Sequence, residues 1–396
     1  MSAPSSNTLS SEAAARPRPA LTFRWLLFQA HLWTGLTLCV LLTLLGLTGS
    51  LLVYDHDLEE IIAPLPRATA TGPGRSAGDI AAAAAQERPG FVPQSVMLPH
   101  DAGEPALVRL VALERREGGG TPQRPQVFVD PVSLQIIAVR DKPAVPLLRL
   151  AHDFHGRLLI EGGRTGRSLV GWLGVIMTGL GLSGIVLWWP RKGQWHWAFH
   201  VRRKSRGVRL HRELHGAVGI WGVIAFVIVS FTGVGIAFPE SITAAVHTLT
   251  GTTASPTPRG GGGSAITVAP GEIDQVVTIA EGAVTETRLV SVTMPRAEGQ
   301  AFRVTLARKT AADGAPPIVV SVKNGRVADL RDPSQLNAGD RIMAWVRPLH
   351  VGDGLGPLWR VIVFVTGLLP LLFSVTGVSM WWLKRRQRVG TVRDVP

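Results

Sequence analysis

His31-Leu-Trp-Thr-Gly35 opens an uncharged run that ends in Leu47-Thr48-Gly49, and His215-Gly-Ala-Val-Gly219 opens another that ends in Phe231-Thr232-Gly233. Each His is followed four residues on by Gly and, at the same spacing in both runs, by Thr-Gly. A buried polar group without a partner is costly. Two imidazoles at matching places in two apolar helices therefore point to a repeated unit built around a shared ligand.

Four apolar runs reach or approach the roughly 20 residues needed to cross a bilayer. They are Leu26–Val53, Leu169–Trp189, Leu214–Phe238 and Leu358–Leu383. Long polar segments separate the first from the second and the third from the fourth, so an integral membrane protein with two water-exposed segments is expected.

The net charge of +13 does not imply nucleic-acid binding, because the cations abut the apolar runs. Arg191, Lys192, Arg202, Arg203, Lys204, Arg206 and Arg209 fill the short middle connection. Lys384, Arg385, Arg386 and Arg388 follow the last run, and Arg16, Arg18 and Arg24 precede the first. The positive-inside pattern puts both termini and the middle loop in the cytoplasm and both long segments outside. The polar stretch before the first run is too long for a cleaved signal peptide, so that run is expected to remain as an anchor. The single Cys39 excludes an iron–sulfur cluster, a covalent haem motif and an intramolecular disulfide.

In order, the chain reads as a disordered cytoplasmic tail (1–20), a first span (21–54) and a first outer domain (55–148). An interfacial segment with the second span (149–190), a basic loop (191–210) and a third span (211–239) follow. A second outer domain (240–345), an interfacial segment with the fourth span (346–384) and a cytoplasmic tail (385–396) complete it. Alternating apolar residues predict strands at Gln94–Leu98, Ala106–Leu113, Pro125–Val129 and Leu134–Val139, after a helix at Ala77–Gln86. The second outer segment repeats the order after a linker at Thr252–Ser264. A helix at Gly271–Ala280 precedes strands at Thr287–Thr293, Ala301–Arg308, Pro317–Val322 and Arg326–Leu330. Spans two and four share Ser/Thr-Gly followed by paired Trp and basic residues. The fold class is thus membrane α-helical, with four transmembrane helices in an internally duplicated arrangement and two outer α+β domains.

A second His pair lies just outside the even spans, at Leu150-Ala-His152-Asp-Phe-His155 and Arg347-Pro-Leu-His350. His31 and His215 sit on the inner side, His155 and His350 on the outer. Paired neutral imidazoles from facing helices suit bis-His haem better than a bare cation, whose charge they would leave uncompensated in an apolar interior. The Gly one turn after His31 and His215 leaves room for a flat macrocycle. Arg24 and Arg212 inside, and Arg149, Arg157, Arg347 and Arg360 outside, are candidate propionate partners. His152 and His211 share helix faces with His155 and His215 and are alternates as ligands. His56, His100, His196, His200 and His247 read as interfacial or surface residues. Trp33, Trp172, Trp221 and Trp359 read as packing or interface residues rather than groups between two haems.

These residues resemble the PepSY-associated transmembrane family of bacteria, which includes inner-membrane ferric-siderophore reductases. The resemblance rests on His31-x3-Gly with Leu-Thr-Gly, on His155 with the following Gly-x-x-Leu-Trp-Trp-Pro-Arg, and on the matching His215 and His350 elements. It spans residues 21–390 and includes Val127-Phe-Val-Asp130-Pro131 as a PepSY-type segment; the second outer segment is read as lacking the Asp-Pro turn. What it implies is four helices, PepSY-like periplasmic domains and two b-type haems on His31, His215, His155 and His350. It also implies delivery of electrons to a ferric siderophore in the periplasm. Some relatives carry a fused flavin domain; here a separate electron donor is expected. The rival expectation is a non-catalytic PepSY-type binding or regulatory membrane protein, and haem content separates the two.

Overall fold

The computed structural model describes residues 22–101, 103–113, 124–142, 144–161, 164–255, 266–310 and 316–393. The expected N-terminal tail, Gly162-Gly163 and most of the 252–264 linker lie outside the described residues.

Four long helices form the apolar part: α1 (Phe23–Leu52), α5 (Arg164–Trp188), α7 (Gly207–Ala237) and α11 (Gly356–Arg393). All four are long and apolar enough to cross a membrane, α11 as far as Gln387. α1 packs along α11, α11 along α7 and α7 along α5, while α5 closes the ring on α1. Lipid tails offer no hydrophobic drive for such packing, so close backbone approach must supply it. At the α1–α11 crossing Gly46 and Gly367 meet backbone to backbone, and Ser50 Oγ donates to the Phe364 carbonyl oxygen at 2.7 Å.

Short helices flank the bundle. α2 (Asp55–Ile62) and α4 (Pro146–Arg157) belong to the first half, α8 (Pro239–Thr250) and α10 (Ala338–Val351) to the second, and α6 (Trp195–Ala198) to the basic loop. α4 lies against α1 and α5, and α10 against α7 and α8. Both α4 and α10 are helices in their own right, set off from the spans that follow. The α4–α5 turn uses two consecutive left-handed leucines, Leu158 and Leu159, whereas α10 ends on Gly352 at φ +94°.

The strands are β1 (Phe91–Met97), β2 (Ala106–Ala112), β3 (Gln126–Val129), β4 (Ile136–Arg140), β5 (Thr287–Thr293), β6 (Phe302–Arg308), β7 (Ile318–Lys323) and β8 (Arg326–Arg331). All lie within a few residues of the sequence reading. β1 starts three residues earlier than expected and includes Pro93, which sits at a bulge where no ladder donor is needed. The two outer segments do not form separate sheets. β1 and β5 pair antiparallel at Ser95↔Thr293, Val96↔Val292 and Met97↔Ser291, giving one sheet in the order β4-β3-β2-β1-β5-β6-β7-β8. Each half alone would leave β1 or β5 as an unprotected edge, and pairing them removes both.

α3 (Ala77–Glu87) and α9 (Pro270–Ala283) cover one face and share one core with it. Val108, Leu110, Val304, Leu306 and Val320 are wholly buried there. The helices touch near their N-termini, where Asp274 of α9 accepts from Gly78 N–H at 2.7 Å and from Ser76 Oγ at 2.8 Å. Asp130 accepts four backbone N–H groups, from Thr69, Ala70, Val132 and Ser133. Burial pushes its carboxyl up, but those donors outweigh burial and hold it below the usual carboxylate range. The second half has its own Asp-Pro, Asp332-Pro333, placed after β8 rather than between the last strands. Asp332 is likewise buried, and it binds Arg308 and Ser334.

A Cβ at position 78 would lie 2.3 Å from the Pro270 carbonyl oxygen. Gly78→Ala is therefore expected to destabilise the sheet by about 1–3 kcal/mol in denaturant unfolding of the solubilised protein. Asp130→Asn should lower stability at neutral pH by about 2–3 kcal/mol. Because the folded carboxyl is more acidic than the unfolded one, the gap between wild type and variant should be full above about pH 5 and shrink as pH falls through the folded value.

Candidate functional site

The four sequence-selected histidines meet as two facing pairs, one at each end of the bundle. His155 on α4 and His350 on α10 have ring centroids 6.1 Å apart at the sheet end. His31 on α1 and His215 on α7 have centroids 6.3 Å apart at the basic end. Two imidazoles on opposite sides of one metal, each bonded at about 2 Å with its ring centre roughly 1 Å further on, have centres about 6 Å apart. Both pairs match that separation.

Each imidazole is held through Nδ1. His155 Nδ1 lies 3.0 Å from the Leu45 carbonyl oxygen and 3.3 Å from Thr48 Oγ1. His350 Nδ1 repeats this with Val229 at 2.9 Å and Thr232 at 3.4 Å. At the other end His31 Nδ1 is 2.8 Å from Ser183 Oγ, and His215 Nδ1 is 2.8 Å from Thr376 Oγ1. All four hydroxyls donate to carbonyls of their own helices, so they accept from the imidazoles. The network assigns the proton to Nδ1 and leaves the lone pair on Nε2. An imidazole oriented this way by its other nitrogen is the usual arrangement of a metal-ligating His.

The Thr-Gly and Ser-Gly dipeptides thus have a physical role that their sequence spacing only hinted at. The hydroxyl of each seats a histidine from another helix. Gly49 and Gly233 make room for the seated ring: a Cβ there would lie 2.8 Å from His155 Cε1 or 3.0 Å from His350 Cε1. Ser183 and Thr376 belong to the Ser/Thr-Gly repeat of spans two and four, and nothing in the linear sequence links them to His31 and His215.

At the basic end the pair lines a cavity of about 970 Å³ walled by all four long helices, at the upper end of the roughly 300–1,000 Å³ typical of cofactor pockets. Gly35 and Gly219 both line it, and a Cβ at Gly35 would meet open space. Arg24, Arg212, Lys384 and Arg385 line it too, with Arg24 also donating to the Leu187 carbonyl oxygen at 3.0 Å. At the sheet end the candidate cations have protein partners. Arg149 and Arg157 both pair with Asp153, and Arg360 binds the Val53 carbonyl oxygen and Asp57. Arg347 is exposed one turn before His350.

The alternates stand apart from the pairs. His152 is exposed, with Nε2 3.0 Å from Asp55 of α2. His211 Nδ1 is buried and unpartnered among the described residues. His247, read as a surface residue, is buried: it binds Thr252 Oγ1 at 2.7 Å and lies 3.2 Å from Asp340 of α10. Its apolar sequence surroundings gave no sign of that acidic partner far along the chain. Trp33, Trp172 and Trp221 are exposed, and Trp33 is among the residues lining the basic-end cavity. Phe373 packs 4.9 Å from the His215 ring and meets Phe226 edge-on, putting an aromatic pair on the sheet side of His215.

Among the described residues no carboxylate or thiolate joins either pair to make a three-ligand set. What the donors fit is a group that brings its own equatorial ligands and takes one imidazole on each face. The levels of the two pairs are marked on α1 by His31 and Leu45, and on α7 by His215 and Val229, roughly 20 Å apart at 1.5 Å per residue.

No curated protein matches the chain. The sequence profile of the PepSY-associated TM region matches residues 28–384, from just before His31 to just past the paired Trp of α11, so the chain is a membrane protein of the PepSY-associated TM region family.

Proposed function

We propose that the protein is an internally duplicated, inner-membrane di-haem oxidoreductase that reduces a ferric siderophore on the periplasmic side and releases Fe(II). The observation that carries this reading is the pair of facing histidines at each end of the bundle, Nδ1 engaged, Nε2 left over and centroids about 6 Å apart. On this reading both termini and the basic loop are cytoplasmic and the sheet is periplasmic. The electron enters from a donor on the cytoplasmic side.

Each b-type haem, when bound, supplies a one-electron ferric/ferrous couple. The chain's residues do the rest. His31 with His215, and His155 with His350, would hold the two haems through their imidazole nitrogens. Ser183, Thr376 and the Leu45 and Val229 carbonyls fix ring orientation through Nδ1. Arg24 and Arg212 line the basic-end cavity, where anionic carboxylates would be neutralised. The apolar helices keep water from the path between the pairs. The substrate needs no acid or base from the protein. Hard oxygen ligands hold Fe(II) far less tightly than Fe(III), so adding one electron releases the metal.

Purified protein should show a reducible bis-His spectrum with about two haems per chain, and a colourless preparation from haem-replete cells would sink the reading. His350→Ala should abolish ferric-chelate reduction and remove the sheet-end haem while leaving the basic-end spectrum largely intact. Ser183→Ala and Thr376→Val should each weaken haem retention at the basic end by about 10–100-fold in competition with apomyoglobin, because the imidazoles lose their orienting partners.

A further inference from the structure

One face of the sheet is covered by α3 and α9, and the other carries a cross-strand row that exists only because β1 and β5 pair. Following the register, the row runs Arg140, Gln126, Arg109, Ser95, Thr293, Arg303, Ser321, Asp329. Its residues alternate with the buried core positions Val108, Leu110, Val304 and Val320, so they belong to the face opposite the helices.

Arg109 and Arg303 occupy equivalent places on either side of the seam. Both are exposed, and between them stand the hydroxyl-bearing Ser95 and Thr293. Strands about 4.8 Å apart put their Cα atoms about 14 Å from each other, a span that two arginine side chains can close around one ligand. The row's one carboxylate, Asp329, lies at the far edge and is paired with Arg331.

Both edges of this face are tied to chain that flanks the spans. On the β4 edge, Arg140 donates to the Ala63 carbonyl oxygen at 2.6 Å and to Glu59 of α2 at 2.9 Å. On the β8 edge, Arg331 donates to the Ser255 carbonyl oxygen, beyond α8, at 3.0 Å. Each edge strand is thus tied to chain that leaves a span, at the end of the bundle that holds His155 and His350.

We propose that the seam is an anion-binding site in which Arg109 and Arg303, with the Ser95 and Thr293 hydroxyls, recognise a ferric chelate of net negative charge. Guanidinium groups bind carboxylate oxygens through paired N–H donors and keep their charge at any physiological pH. The inference rests on the reading of the sheet end as the place of reduction, and it names the class of substrate that end prefers.

The test measures binding of 55Fe-labelled ferric citrate to the full-length solubilised protein by equilibrium dialysis, with a ferric trihydroxamate lacking net negative charge as comparison. Arg109→Gln with Arg303→Gln should weaken ferric citrate binding tenfold or more and change trihydroxamate binding less than twofold. Arg109→Lys with Arg303→Lys should keep part of the affinity, and the wild-type preference should fade with added salt. Equal loss for both chelates, no loss for either, or loss of co-purified anionic phospholipid in place of citrate would overturn the proposal. Thermal unfolding and haem content of the variants check that they are folded. Binding does not need haem, so citrate binding through the arginines in a colourless protein would leave this inference standing and sink the reductase reading. Reduction that proceeds with no charge preference would do the reverse.

Discussion

The hydrogen bond from an imidazole Nδ1 to an oxygen on a neighbouring helix is the contact on which the rest of this architecture depends. It joins α1 to α5, α7 to α11, α4 to α1 and α10 to α7, so each histidine ties two helices as well as facing its partner. In an apolar surrounding a polar side chain that misses its partner is heavily penalised, which makes these four contacts strong determinants of helix register. The accepting hydroxyls are in turn tied to their own helices, so neither side of the bond can drift. Small residues follow from the same demand: Gly49 and Gly233 are where the ring edges lie, and a methyl group there would displace the imidazole.

The sheet solves a second problem. Each half contributes four strands and one helix, too small a unit to bury much apolar surface alone. Pairing β1 with β5 merges two marginal units into one core. The same pairing creates a face that neither half possesses, with arginines at equivalent positions about the seam. Because both edge strands are bonded to chain that emerges from the bundle, the sheet and the pair His155/His350 belong to one connected frame.

Much of this was legible in one dimension because the signals are local. Period-two apolarity located all eight strands, and sustained apolarity located the four long helices. The histidines stood out because imidazoles are rare in such runs. The short helices α4 and α10 were blurred into interfacial segments, since a dozen amphipathic residues next to a span carry little periodicity of their own. His247 was misread as a surface residue because its acidic partner lies on a distant helix, and the Asp-Pro of the second half went unnoticed because it follows the last strand.

By itself the sequence determined the number of long apolar helices, the alternation that makes strands, and the residue types available as ligands. Those properties depend on each residue's own chemistry and on neighbours within a turn or a pleat. Only the tertiary structure decided which histidines face each other, which nitrogen each has left, and which hydroxyl holds it. It also decided that two outer segments share one sheet, and hence that Arg109 and Arg303 flank a common seam. Those outcomes depend on groups far apart in the chain, brought together by burial and hydrogen bonding that no local pattern records.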